Sequence, residues 1–141
     1  MKTKIDYSAF EKAIGQLEKS LSFVHSSMAG QNKDLYEQFR AAGVQAFEYT
    51  YELALKMLRR QLDQIVSNRA ELREMAFMDF IRTAAEAGLV RNVSAFKVYR
   101  DKRNITSHTY DADKAEEVLS VIEPFLKDVH FILNEIRKRN A

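Results

Sequence analysis

From Asp34 to Val66 the chain runs without a proline and carries two apolar stripes. One is Val44, Phe47, Tyr51, Leu55, Leu58, Leu62 and Ile65. The other is Phe39, Gly43, Ala46, Thr50, Leu53 and Met57. Steps of three and four residues place each set on one face of a helix. A helix apolar on two sides needs neighbours on both, so the segment predicts the central member of a helical bundle. Those neighbours come from its own chain or from a second subunit. Gly43 and Ala46 would let one of them approach closely.

The rest of the chain supplies such neighbours. Phe10, Ile14, Leu17, Leu21, Val24 and Met28 alternate steps of four and three, which predicts a helix from an Asp6 cap to about Met28. Its stripe reads as a wall of the bundle core rather than an oligomer seam, and His25 as a surface or capping residue. Ala29 to Lys33 reads as a turn, and Ser67-Asn68-Arg69 as a break. A short helix over Phe77–Ala87 should stop at Gly88 in a C-cap position. Another should start at Asn92 or Ser94 and run through Phe96, Tyr99 and Arg103. Tyr110 to Asp113 reads as a turn with an N-cap.

The last helix is expected over Ala112–Lys138, with Ala115, Val118, Leu119, Ile122, Leu126, Val129, Leu133 and Ile136 facing inward. Pro124 should kink it. Arg137-Lys138-Arg139 suits the negative end of its dipole. The fold class that results is all-α: an antiparallel up-and-down four-helix bundle with one extra short helix, one domain over residues 1–141.

Composition narrows the function. One proline and four glycines leave few turns, and 46% hydrophobic with 30% charged residues suits an ordered globular chain. A net charge of +2 is too small for non-specific nucleic-acid binding, so any RNA or nucleotide contact must be local. With no cysteine there are no disulfides and no thiolate metal sites. The N-terminus has no apolar signal core and no run reaches membrane-spanning length, so a cytoplasmic protein without membrane contact is expected. A Gly-rich phosphate loop, an HExxH pair and a nucleophile elbow are all missing, and the three histidines are scattered. No metal or cofactor is expected. No Gly-Ser dipeptide precedes an acidic pair, so the chain does not itself look like a nucleotidyltransferase.

Chemically capable side chains concentrate in Arg103-Asn104-Ile105-Thr106-Ser107-His108-Thr109-Tyr110. Phe96, Tyr99 and Arg103 share a helix face, so Arg103 continues an apolar stripe and needs a carboxylate, a phosphate or an interface. Glu48 and Glu52, one turn apart in the central helix, are the candidate carboxylates; plain surface charge is the other reading. His108 lies about 140° around an ideal helix from Arg103. Either the helix ends between them or they meet across a second copy of the chain. Imidazole transfers protons near neutral pH, guanidinium suits a phosphate gaining negative charge, and Asn104 can orient a group. Such a set cleaves RNA without a metal if two copies supply an acid–base pair. Spacing alone favours a structural role instead, with Arg103 in an ion pair and His108 closing a helix end.

Arg103, four residues, His108, one residue and Tyr110 resemble the RX4HXY motif of HEPN domains. With Gln45–Ala54 and Ile81–Leu89, the stretch is similar to the nucleotidyltransferase substrate-binding protein, HepT-like branch of that superfamily, over roughly Tyr7 to Ile136. Phe96 stands where that branch carries Trp, which keeps an aromatic. The resemblance implies a dimerising helical bundle and a partner, a minimal nucleotidyltransferase. It implies one of two roles. The chain is a toxin whose Arg103 and His108 form a metal-independent ribonuclease, silenced by adenylylation of Tyr110; or it is the non-catalytic substrate-binding subunit of a two-component nucleotidyltransferase. The intact Arg, Asn, His and Tyr point to the first. A structural dimerisation module is the third reading.

Overall fold

The computed structural model describes residues 3–141. Its elements are eight α-helices and one 3₁₀ turn, with no strand among the described residues: α1 Ser8–Val24, α2 Ser27–Gln31, α3 Lys33–Asp63, α4 Arg69–Glu74, α5 Phe77–Glu86, α6 Val93–Asn104, the 3₁₀ turn Thr106–His108, α7 Ala112–Leu119 and α8 Ile122–Arg139.

The long helices run up and down, as the cross-contacts require. Phe23 stacks on Phe39 at 5.2 Å and the Thr50 hydroxyl meets the Ala13 carbonyl, so α1 and α3 are antiparallel. Arg137 pairs with Glu11 and His130 with Glu18, which sets α8 antiparallel to α1. Arg103 reaches Glu52 and Thr106 reaches Glu48, so α6 runs against α3. The central helix packs on α1, α2, α6, α7 and α8. Its own chain therefore packs against both faces, leaving Phe39, Ala46, Leu53 and Leu55 half-buried. Gly43 meets Leu119 at 3.5 Å and Ile122 at 3.9 Å, measured from where a Cβ would stand, so its close neighbours are α7 and α8.

Aromatic residues knit the centre. Phe125 of α8 sets its edge against Phe47 of α3 and against Tyr99 of α6, and Tyr99 meets Phe96. The Tyr99 hydroxyl donates to Asp128, a carboxylate only 4% exposed that Arg91 also approaches at 3.5 Å. A buried charge needs such partners.

Several boundaries differ from expectation. Asp6 accepts from the Ser8 N–H at 2.9 Å, but the N-cap of α1 is Tyr7, without a side-chain cap bond; α1 stops at Val24 and Met28 is exposed. The Ser26 side chain accepts from the Ala29 N–H and starts α2, so much of the expected 29–33 turn is helical. Asn32 caps α3 in the same way through Leu35. The short α4, capped by Asn68, fills part of the expected break and buries Leu72. Ile65, placed on an α3 stripe by spacing, lies past the helix end and is exposed.

The expected last helix is two helices. Pro124 does not kink an unbroken one: it occupies the first turn of α8, where its missing N–H costs nothing. A continuous helix would have aimed that missing bond, and the ring, at the Ser120 carbonyl, and the chain breaks at Ser120–Val121. Gly88 ends α5 as expected, with φ +81 and the paired bonds Leu89 N–H to Ala84 and Gly88 N–H to Ala85, both 2.9 Å.

Two buried phenols make the bundle sensitive to alkali. Burial pushes Tyr51 up to about 12, and burial with the Asp128 bond pushes Tyr99 higher still. An unfolded tyrosine ionises near pH ~10. The folded state thus holds these protons more tightly; its advantage is complete below about pH 10 and is lost as pH rises toward about 12. Phenolate absorbance should show two of the six tyrosines ionising only together with unfolding. Smooth ionisation of all six with the fold intact would contradict this.

Candidate functional site

The motif sits where α6 gives way to α7, and its own side chains make the change. Thr106 turns its hydroxyl back to the Arg103 carbonyl at 2.8 Å, and Thr109 does the same to Thr106 at 3.0 Å. Such back-bonding competes with a continuing helix. The backbone instead tightens into the 3₁₀ turn, with His108 N–H on Ile105 at 2.9 Å and Asp111 N–H on His108 at 3.1 Å. Asp111 then caps α7 by accepting from the Asp113 N–H at 2.9 Å. The helix does end between Arg103 and His108, at Asn104.

The central helix fixes the other side. Glu52 accepts from Arg103 Nε at 2.7 Å, and the Glu48 carboxylate shares the single proton of the buried Thr106 hydroxyl with the Arg103 carbonyl. Both carboxylates therefore hold the motif, one at each end of its turn. The Glu52 bond also drives the Arg103 guanidinium above its ordinary value. The pair is half-open to solvent, at 36% and 53% exposure, so Arg103 lies at the rim of the core rather than in it. The buried stripe ends at Tyr99. Only Nε is hydrogen-bonded; the two terminal amino groups have no protein partner among the described residues.

Asn104 is the last residue of α6 and is exposed. His108, at the end of the 3₁₀ turn, is exposed too, and its ring meets Tyr110 edge-on with centroids 6.3 Å apart. Tyr110 is 88% exposed, more than any other large apolar or aromatic side chain among the described residues. No direct bond joins Arg103 to His108. A groove of about 430 Å³ opens beside them, lined by Gln45, Glu48, Tyr49 and Glu52 of α3 and by Thr106 and Thr109. Among the described residues, no three His, Asp or Glu side chains gather as a metal site.

Thr106 falls inside the chemically capable stretch, and Gln45 and Tyr49 inside the matched Gln45–Ala54 block, but the sequence assigns none of them a role. A threonine just past the end of an arginine-bearing helix was the available signal for Thr106. Nothing in the sequence signals the groove, which exists only once α3 and the turn are side by side.

With this geometry in hand, relatives are informative. The chain matches the family described as nucleotidyltransferase substrate binding protein like over residues 5–138. It is 45% identical over 100 residues to a Haemophilus influenzae protein named probable ribonuclease HepT, covering 71% of this chain and 68% of that one. A solved H. influenzae structure, described as the fold of a substrate binding domain of a nucleotidyltransferase, superposes with a TM-score of 0.89 at 35% identity, covering 94% of this chain and 99% of that one. The all-helical bundle, the ordered motif and a match spanning nearly the whole sequence agree: this chain belongs to the nucleotidyltransferase substrate-binding protein-like family.

Proposed function

We propose that this chain is the HEPN-type component of a cytoplasmic two-component system whose other member is a minimal nucleotidyltransferase, and that it cuts RNA without a metal. The observation that carries this reading is the open chemistry of a hydrogen-bonded turn. His108 and Tyr110 stand exposed side by side, while Arg103 is anchored through Nε alone with both terminal amino groups available. A purely structural ion pair and helix stop would not need an exposed imidazole and an exposed phenol beside it. The name of the ribonuclease relative fits the same reading.

In this mechanism His108 takes the proton of a ribose 2′-hydroxyl, whose oxygen attacks the adjacent phosphorus. The bond to the leaving 5′ oxygen breaks, leaving a 2′,3′-cyclic phosphate and a 5′-hydroxyl. Arg103 donates to the non-bridging oxygens as charge grows there, and Asn104 orients the phosphate. The leaving oxygen needs a proton, which His108 of a second copy supplies in a two-fold dimer. Silencing would follow from the partner: the Tyr110 hydroxyl attacks the α-phosphorus of ATP and pyrophosphate departs. AMP there adds bulk and negative charge two residues from His108, where RNA must lie.

The test is cleavage of RNA by the purified protein in excess EDTA, with product ends read by mass spectrometry. The expected result is cyclic-phosphate ends, from a protein that light scattering finds dimeric at micromolar concentration. No cleavage, with Tyr110 unmodified by intact mass, would overturn the nuclease and favour a substrate-binding subunit, as the description of the solved relative suggests.

A further inference from the structure

We propose that the groove between α5 and α6 is a binding track for the phosphate backbone of single-stranded RNA, feeding the strand toward the Arg103–His108 turn. The groove measures about 750 Å³ and is lined by Arg82, Arg91 and Lys97, with Met78, Val93 and Ser94 between them. No carboxylate lines it. The groove beside the motif is the opposite, with Glu48 and Glu52 in its wall. A polyanion is repelled on that side, so the strand reaches the motif from the other.

Helix α6 connects the two places. Lys97, Arg100 and Asn104 are spaced three and four apart and so share one flank of it. From Lys97 to Asn104 the helix advances about 10 Å. Arg100, midway, is exposed and lies over the Phe77 ring of α5 at 4.9 Å. Lys97 and Arg100 thus carry positive charge from the groove toward the first motif residues, with Asp101 on the same flank paired to Lys97. Met78 and Val93 give the groove an apolar floor against which base faces can pack, beside cations that contact the backbone phosphates. The local acids compete weakly. Asp79 with Arg82 and Asp101 with Lys97 are exposed pairs, screened by water. Continuity with the motif favours RNA over an acidic protein as the occupant. The assignment rests on the reading of that motif as an RNA-cleaving site.

The test uses the full chain and the double variant Arg82→Gln/Lys97→Gln. Arg91 is left alone because it holds the buried Asp128. Anisotropy of a short, unstructured fluorescent RNA is followed across a salt series. Removing two phosphate contacts should reduce the slope of log affinity against log salt by about 1.4, and weaken binding about 25-fold at ~0.1 M salt. Cleavage of a dinucleotide, too short to reach the groove, should be unchanged in the double variant, while KM for the longer RNA rises. An unchanged salt slope overturns the track. The two readings separate cleanly. RNA bound through Arg82 and Lys97 but never cut leaves the track standing and removes the nuclease. RNA cut by the parent and the double variant alike, with equal slopes, does the reverse. Loss of an acidic protein partner with RNA binding untouched assigns the groove to that partner and overturns the proposal.

Discussion

His108→Ala is expected to slow RNA cleavage in EDTA by ~10²–10⁴, the range for losing a positioned general acid or base. Its side chain is exposed and forms no hydrogen bond among the described residues, so the turn should survive the change. Thermal melting should therefore match the parent while initial rates collapse. Arg103→Ala should cost ~10²–10³, as for removing a donor aimed at developing charge. The arginine variant also unties Glu52, so it needs the melting control more. Arg103→Lys should recover only part of the rate: a lysine keeps the charge but not the fork that lets Nε anchor while two amino groups work. A His108→Ala protein as fast as the parent would remove the imidazole from the chemistry.

Phe125→Ala is expected to destabilise the protein by about 3–5 kcal/mol, the range for truncating a buried phenylalanine. Phe125 is fully buried and touches ring edges on two other helices, Phe47 at 4.8 Å and Tyr99 at 5.0 Å. Its loss removes transfer energy, two aromatic contacts and the filling of a space that the rigid bundle cannot close. Chemical denaturation at neutral pH reads the loss as a lower midpoint with similar slope. A change below about 1 kcal/mol would mean that the neighbouring helices collapse into the gap. The same residue matters to the site at a distance. It ties α8 to α3, which carries Glu48 and Glu52, and to α6, which carries Arg103.

Much of the fold was legible because periodicity is a local property. One inward stripe on each of α1, α3 and α8 follows from steps of three and four, though Ala13, Phe125 and Ile132 are buried beside those stripes, and the Gly88 stop follows from glycine's tolerance of positive φ. The breaks after Val24 and Leu119 were not legible. His25, Ser26 and Ser120 are weak breakers; the Ser26 cap of α2 forms only when the chain is already turned, and α8 starts without a side-chain cap. Pro124 did signal an interruption, but the interruption falls four residues before it, at the carbonyl its ring would strike. Helix α4 was hidden because a polar, charged stretch shows little period, its one buried anchor being Leu72.

By itself the sequence determined that the chain is a bundle of amphipathic helices and that its reactive side chains lie within eight consecutive residues, since both facts concern neighbours along the chain. Only the tertiary structure decided that Glu52 and not Glu48 holds Arg103, that Glu48 instead holds Thr106, and that Asp128 is the acceptor for Tyr99. Those partners stand 51, 58 and 29 residues apart. A stripe records which face of a helix turns inward; the crossing of two helices then decides which polar group each meets, and no local pattern carries that choice.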